Sequence, residues 1–171
     1  MRLFFALWAD PDVRRQFAHL ARQLNLESRG RSVDPRNYHV TLAFVGEVSS
    51  PKLAVLQQIG RSVRAPQFAF ECDSIEFWRE PQVVVAAARA APPGLLDLWT
   101  NLNEAIGLPR ERLHAHVTLA RKVVQAPVQQ AMSPFYWSAR SFSLVRSDTS
   151  GAHSVYTVVD TWPLLDETPK P

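Results

Sequence analysis

The chain has 171 residues, 46% apolar and 20% charged, which suffices for one buried core and excludes a disordered chain over most of its length. Nineteen Lys and Arg against sixteen Asp and Glu give a formal net charge of +3, and Lys occurs only at positions 52, 122 and 170. The single Cys72 excludes an internal disulfide or a cysteine-based metal cluster, and no run reaches the ~20 apolar residues of a membrane helix.

Residues 2–9, RLFFALWA, predict a buried strand. Asp10-Pro11 then offers an N-cap and a proline at the first helical position. Val13, Phe17, Leu20, Ala21 and Leu24 recur at helical spacing, which predicts an amphipathic helix ending near Gly30. RSVDPRN reads as loop, and HVTLAFVG from His39 as a strand closed by Gly46. Ser49-Ser50-Pro51 opens a second helix with Leu53, Leu56, Ile59 and Val63 on one stripe. QFAFECDSIEFW at 67–78 reads as one long alternating strand, with neither face uniformly apolar.

VVVAAARA at 83–90 has the composition of a buried strand. Pro92-Pro93 opens a third helix carrying Leu95, Leu98, Trp99, Leu102, Ala105 and Ile106, and Gly107 ends it. After the loop PRERLHA comes a strand, HVTLA, from His116. A short helix is expected at 127–132, and strands at 135–147 and 154–163 hinged at Ser150-Gly151. The polar tail 166–171 is expected to be loose.

Five letters occur twice, HVTLA at 39–43 and at 116–120, an offset of 116 − 39 = 77. The strands at 2 and 83 are offset by 83 − 2 = 81, so a β-α-β order recurs at a nearly constant interval. This predicts an internal duplication. The expected fold is α+β, one bilobal domain over 1–171 with approximate halves 1–80 and 81–165. A pseudo-twofold axis would relate two antiparallel sheets, flanked by helices around a central cleft.

Successive side chains on a strand face opposite ways. His39 and Thr41 therefore share one face, as do His116 and Thr118, with Val40, Leu42, Val117 and Leu119 behind them. Packing accounts for the apolar letters of the repeat but gives no reason to keep His and Thr. Two imidazoles near pKa ~6.5 suit a displacement at phosphorus, where one takes a proton from water and the other gives one to the departing alkoxide. Thr hydroxyls can donate to phosphate oxygens, and Arg121, which ends the second copy where Phe44 ends the first, can offset developing charge. Strict alternation turns Arg121 away from His116; it reaches a cleft only if the strand twists, bulges or ends there. His114 reads as a rim residue, His19 and His153 as surface residues, and Trp8, Trp99 and Trp162 as core. Tyr38, Phe44 and Trp78 are candidates for base stacking.

RLFFAL at 2–7, NYHVTLAFVGEV at 37–48, AHVTLARK at 115–122 and YTVVDTWPL at 156–164 resemble the 2H phosphoesterase superfamily. More narrowly, the chain is similar to the bacterial and archaeal RNA 2′,3′-cyclic phosphodiesterases, also called the 2′-5′ RNA ligase family. Asp34, Val45 and Ala115 depart from the usual pattern away from the proposed chemistry. The resemblance implies metal-independent hydrolysis of RNA or nucleotide 2′,3′-cyclic phosphate ends to 2′-phosphates, with no cofactor. It implies His39 as proton donor, His116 as proton acceptor, and Thr41, Thr118 and Arg121 as phosphate ligands. It also implies joining of tRNA halves through a 2′-5′ linkage. A soluble, cytoplasmic monomer without a membrane partner is expected. The alternative from another class is a non-catalytic RNA-end binder using the same cleft; two His without a carboxylate in either motif make a poor zinc site.

Overall fold

A computed structural model describes residues 1–109, 112–127, 132–148 and 154–166. The expected short helix at 127–132, the hinge at Ser150-Gly151, His153 and the end of the tail fall wholly or mainly outside these residues.

The first strand, β1 (Arg2–Trp8), buries Leu3 to Leu7 on both faces. Helix α1 (Pro11–Gln23) starts where predicted, with Asp10 Oδ1 accepting from the N–H groups of Asp12 and Val13 at 2.9 Å each. It stops seven residues short of Gly30 because Leu26, nine positions beyond Phe17, would point to the opposite side of a continuing helix. Asn25 instead turns left-handed (φ 50°), and a 3-10 turn at Leu26–Ser28 delivers Leu26 to the core, fully buried. Strand β2 (Arg31–Ser32) and β3 (His39–Glu47) follow, β3 running one residue past Gly46. Helix α2 is Ser50–Ser62, and α3 (Pro93–Ile106) ends on Gly107 at φ 79°, a left-handed cap that glycine adopts without a Cβ penalty.

The segment expected as one strand at 67–78 is two, β4 (Phe68–Cys72) and β5 (Ser74–Trp78). The break lies at Asp73, whose N–H donates to Ala87 O and whose carboxylate accepts from the Arg89 N–H. This explains the ambiguous alternation. Phe70 and Cys72 face the core in β4, but after the break the odd residue Ile75 does so in β5. Likewise the strand expected at 135–147 breaks at Arg140 into β8 (Phe135–Ala139) and β9 (Ser141–Asp148). The others are β6 (Val83–Ala87), β7 (His116–Arg121) and β10 (Val155–Pro163).

Two antiparallel sheets and flanking helices are present, but the sheets do not divide as one per half. Strands β10-β9-β1-β3-β7-β6-β5 run in that order, with β2 on β7, and β4 pairs only with β8. Each half thus sends a strand across: β5 joins β6, and β9 joins β1. The apolar faces of α1, α2 and α3 all pack on one side, against Leu3, Phe5, Leu7, Val40 and Leu42. The other side carries two small, symmetry-related clusters, Phe4/Ala6/Val145 and Val83/Val85/Ala87. At the core face, a Cβ on Gly60 of α2 would lie 2.5 Å from the Trp162 ring. Gly60→Ala is therefore expected to lower stability by ~1–3 kcal/mol, read as a lower urea midpoint at unchanged slope.

Candidate active site

Strands β3 and β7 meet at one pair, Val40 opposite Val117. These are the same position in the two copies of the repeat, since 117 − 40 = 77, so the pseudo-twofold axis passes between them. Antiparallel partners project to the same face. Val40 and Val117 are both 1% exposed in the helix-covered core. His39, Thr41, His116 and Thr118 are therefore together on the open face. On a regular ladder the two histidines would be diagonal neighbours, about 7–8 Å apart and somewhat closer at Cβ.

The second half of the repeated letters has its own role. Val85 pairs with Thr118 and Val84 with Ala120, so Leu119 is an extra residue in β7. Ala6 pairs with Thr41 and Phe5 with Ala43, so Leu42 is the extra residue at the equivalent place in β3. Each bulge turns two successive side chains, Leu-Ala, into the core. The next residue then returns to the open face. That corrects the alternation argument: Arg121, paired with Val83, lies on the same side as Thr118. Its counterpart Phe44 is half exposed, with the Arg2 guanidinium 5.0 Å above its ring.

A cavity of about 930 Å³ opens here, lined by His39, Thr118 and Arg121. Arg31, Arg36 and Lys122 also line it, against Asp34 as the one carboxylate among the described lining residues, giving a basic mouth. Thr41 and His116 share the face but lie outside that lining. Among the described residues no group of three His, Cys, Asp or Glu side chains is placed to hold a metal ion, and no helix is long and apolar enough to cross a membrane.

Both rings are oriented the same way. Nδ1 of His39 donates to the Asn37 carbonyl at 2.7 Å, and Nδ1 of His116 to the His114 carbonyl at 2.7 Å. A carbonyl only accepts, so each Nδ1 carries a proton and each Nε2 is the titrating atom. The surroundings differ. Trp8 stacks on His39 at 5.2 Å and 3°, with Phe4 at 5.0 Å and Tyr156 at 5.4 Å. Burial pushes His39 down to about 4, and the charges of Arg121 and His116 act in the same sense. His116 is lowered too, first by burial; the His114 and Arg121 charges add to that, while the Glu76 carboxylate opposes it. Arg121 acts on both imidazoles, and each lies close enough to feel it.

The family profile described as LigT-like phosphoesterase matches residues 7–85. An Escherichia coli protein named RNA 2′,3′-cyclic phosphodiesterase is 31% identical over 95% of this chain and 96% of its own length. The chain belongs to the LigT-like phosphoesterase family. Among solved structures, E. coli LigT complexed with 3′-AMP superposes with a TM-score of 0.86 at 31% identity, covering 96% of this chain and 98% of that one. The protein TT0787 of Thermus thermophilus gives 0.79 at 27% identity, covering 98% and 100%.

In this LigT-like phosphoesterase several site neighbours escape sequence reading. Trp8, expected in the core, is paired opposite His39 and stacks on it. Tyr38 cannot stack on a base, being 1% exposed and edge-on to Phe17. His114 is no mere rim residue, since its carbonyl orients His116. Only the two-residue parity between 37 and 39, and between 114 and 116, hinted at such a contact.

Proposed function

We infer that this chain hydrolyses RNA 2′,3′-cyclic phosphate ends to 2′-phosphates without metal or cofactor, His39 being the proton donor and His116 the proton acceptor. The Val40–Val117 pairing carries the reading, because it sets two equally oriented imidazoles about one axis on one face. In-line displacement at phosphorus needs an acid and a base on opposite sides of the reacting atom, and a twofold arrangement supplies that. Water attacks phosphorus while His116 Nε2 takes its proton. The P–O3′ bond breaks as His39 Nε2–H protonates O3′, and the phosphate stays on O2′. Thr41 and Thr118 donate to non-bridging oxygens, and Arg121 offsets the charge that develops on them.

The same displacement, with an RNA 5′-hydroxyl in place of water as the nucleophile, would join RNA ends such as tRNA halves through a 2′-5′ linkage. The basic mouth supports an RNA partner, and the name of the E. coli relative and the 3′-AMP complex of LigT point the same way. The chain is proposed to act as a cytoplasmic monomer. Arg121→Ala is expected to lower kcat ~10²–10³-fold, with Arg121→Lys intermediate, on a cyclic-phosphate-ended oligonucleotide. Loss confined to KM would assign Arg121 to ground-state binding instead.

A further inference from the structure

Glu76 lies on β5, the strand that the first half contributes to the second half's side of the sheet. Its cross-strand partner is Val85, itself opposite Thr118, so it projects to the same open face. Both of its carboxylate oxygens are engaged. Oε2 accepts from the Trp78 indole N–H at 2.8 Å, and Oε1 accepts from His114 Nε2–H at 3.2 Å.

The two rings held in this way surround His116. Trp78 meets it edge to face, 4.6 Å between centroids at 62°, and His114 stands at 6.0 Å and 89°. Trp78 and His114 also touch each other at 5.3 Å, which closes the triangle. The main chain of His114 supplies the carbonyl that holds His116 Nδ1. A displacement of the His114 or Trp78 ring therefore acts on the imidazole both through packing and through its orienting hydrogen bond. Around His39 the contacts among the described residues are of another kind, with Phe4, Trp8 and Tyr156 flanking it by their rings.

We propose that Glu76 is a positioning residue for His116: its carboxylate clamps Trp78 and His114 around the imidazole and fixes the direction of Nε2. Glu76 touches neither His116 nor the reacting atoms, so it acts only through these two rings and its field. This rests on the reading of His116 as the proton acceptor. The charged groups bearing on His116 are Glu76, which favours its protonated form, and His114 and Arg121, which disfavour it.

Two substitutions separate clamp from charge. Glu76→Gln keeps an oxygen for the indole but removes the charge. The bell in its pH profile of kcat/KM should move to lower pH on its alkaline side, because His39 is the more strongly lowered ring, and the His116 ring, followed by NMR in the free protein, should titrate at lower pH as well. Glu76→Ala releases both rings. It should lower kcat about tenfold to ~10²-fold while KM changes less than about twofold, because misplacement of a catalytic group is felt in the transition state. Glu76 is partly exposed, so neither change threatens the fold. An unmoved His116 titration in Glu76→Gln, or a Glu76→Ala loss appearing wholly in KM, would overturn the proposal. Full activity of His116→Ala would instead sink the reading beneath it, and the NMR titration would still report on the clamp.

Discussion

His116→Ala is expected to lower kcat on a 2′,3′-cyclic-phosphate-ended oligonucleotide by ~10²–10⁴-fold, and His39→Ala by a similar factor, with KM little changed. Each ring is held by a carbonyl at Nδ1, so alanine removes a pre-aimed Nε2. The double variant should lose far less than the product of the single losses, because in the proposed mechanism the two rings serve one displacement. Steady-state kinetics across pH gives a second readout. Burial holds both free imidazoles below the ordinary value of about 6.5, His39 most strongly, at about 4. The bell in kcat/KM, which reports the free enzyme, should therefore lie on the acid side of neutrality. A bound phosphodiester anion favours the protonated rings, so the bell in kcat should sit at higher pH. The limbs belong to the coupled pair rather than to either ring. Coincident bells centred above neutrality would contradict this account of the site.

Trp137→Ala is expected to lower stability by ~3–5 kcal/mol, the largest single loss foreseen for the fold. Trp137 is 2% exposed, on β8, with Phe70 at 5.2 Å and Phe17 at 6.1 Å. It stands opposite Phe70 in the small β4–β8 sheet, where the segments that cross between the halves meet. Its indole thus joins α1 to both crossing segments, and alanine would leave a cavity that backbone pinned by β4–β8 pairing cannot close. Urea unfolding should show a lower midpoint with an unchanged slope. A loss under ~1 kcal/mol would mean that the two-stranded sheet contributes little to the core.

How much of this was legible in the sequence follows from which signals are local. The apolar stripes of α1, α2 and α3 and the His-x-Thr parity need only neighbouring residues, and they located the starts of the helices and put His39, Thr41, His116 and Thr118 on one face. The bulges at Leu42 and Leu119 were hidden because both residues of each Leu-Ala pair are apolar, so two buried in succession look like ordinary alternation with a tolerant alanine. By that pattern alone Arg121 faces the wrong way. The breaks at Asp73 and Arg140 depend on a partner strand from the other half, which no local pattern encodes. The same applies to Trp8, Tyr156, Trp78 and Glu76, which reach the histidines only through the register of strands far apart in sequence.

Analysis of the product by 31P NMR, with excess chelator present, tests the pairing of imidazoles most directly. A 2′-phosphate end should form at the same rate with and without chelator, and its formation should be suppressed in both His39→Ala and His116→Ala. A 3′-phosphate product, or turnover that stops when metal is removed, would contradict two histidines working alone on one phosphorus.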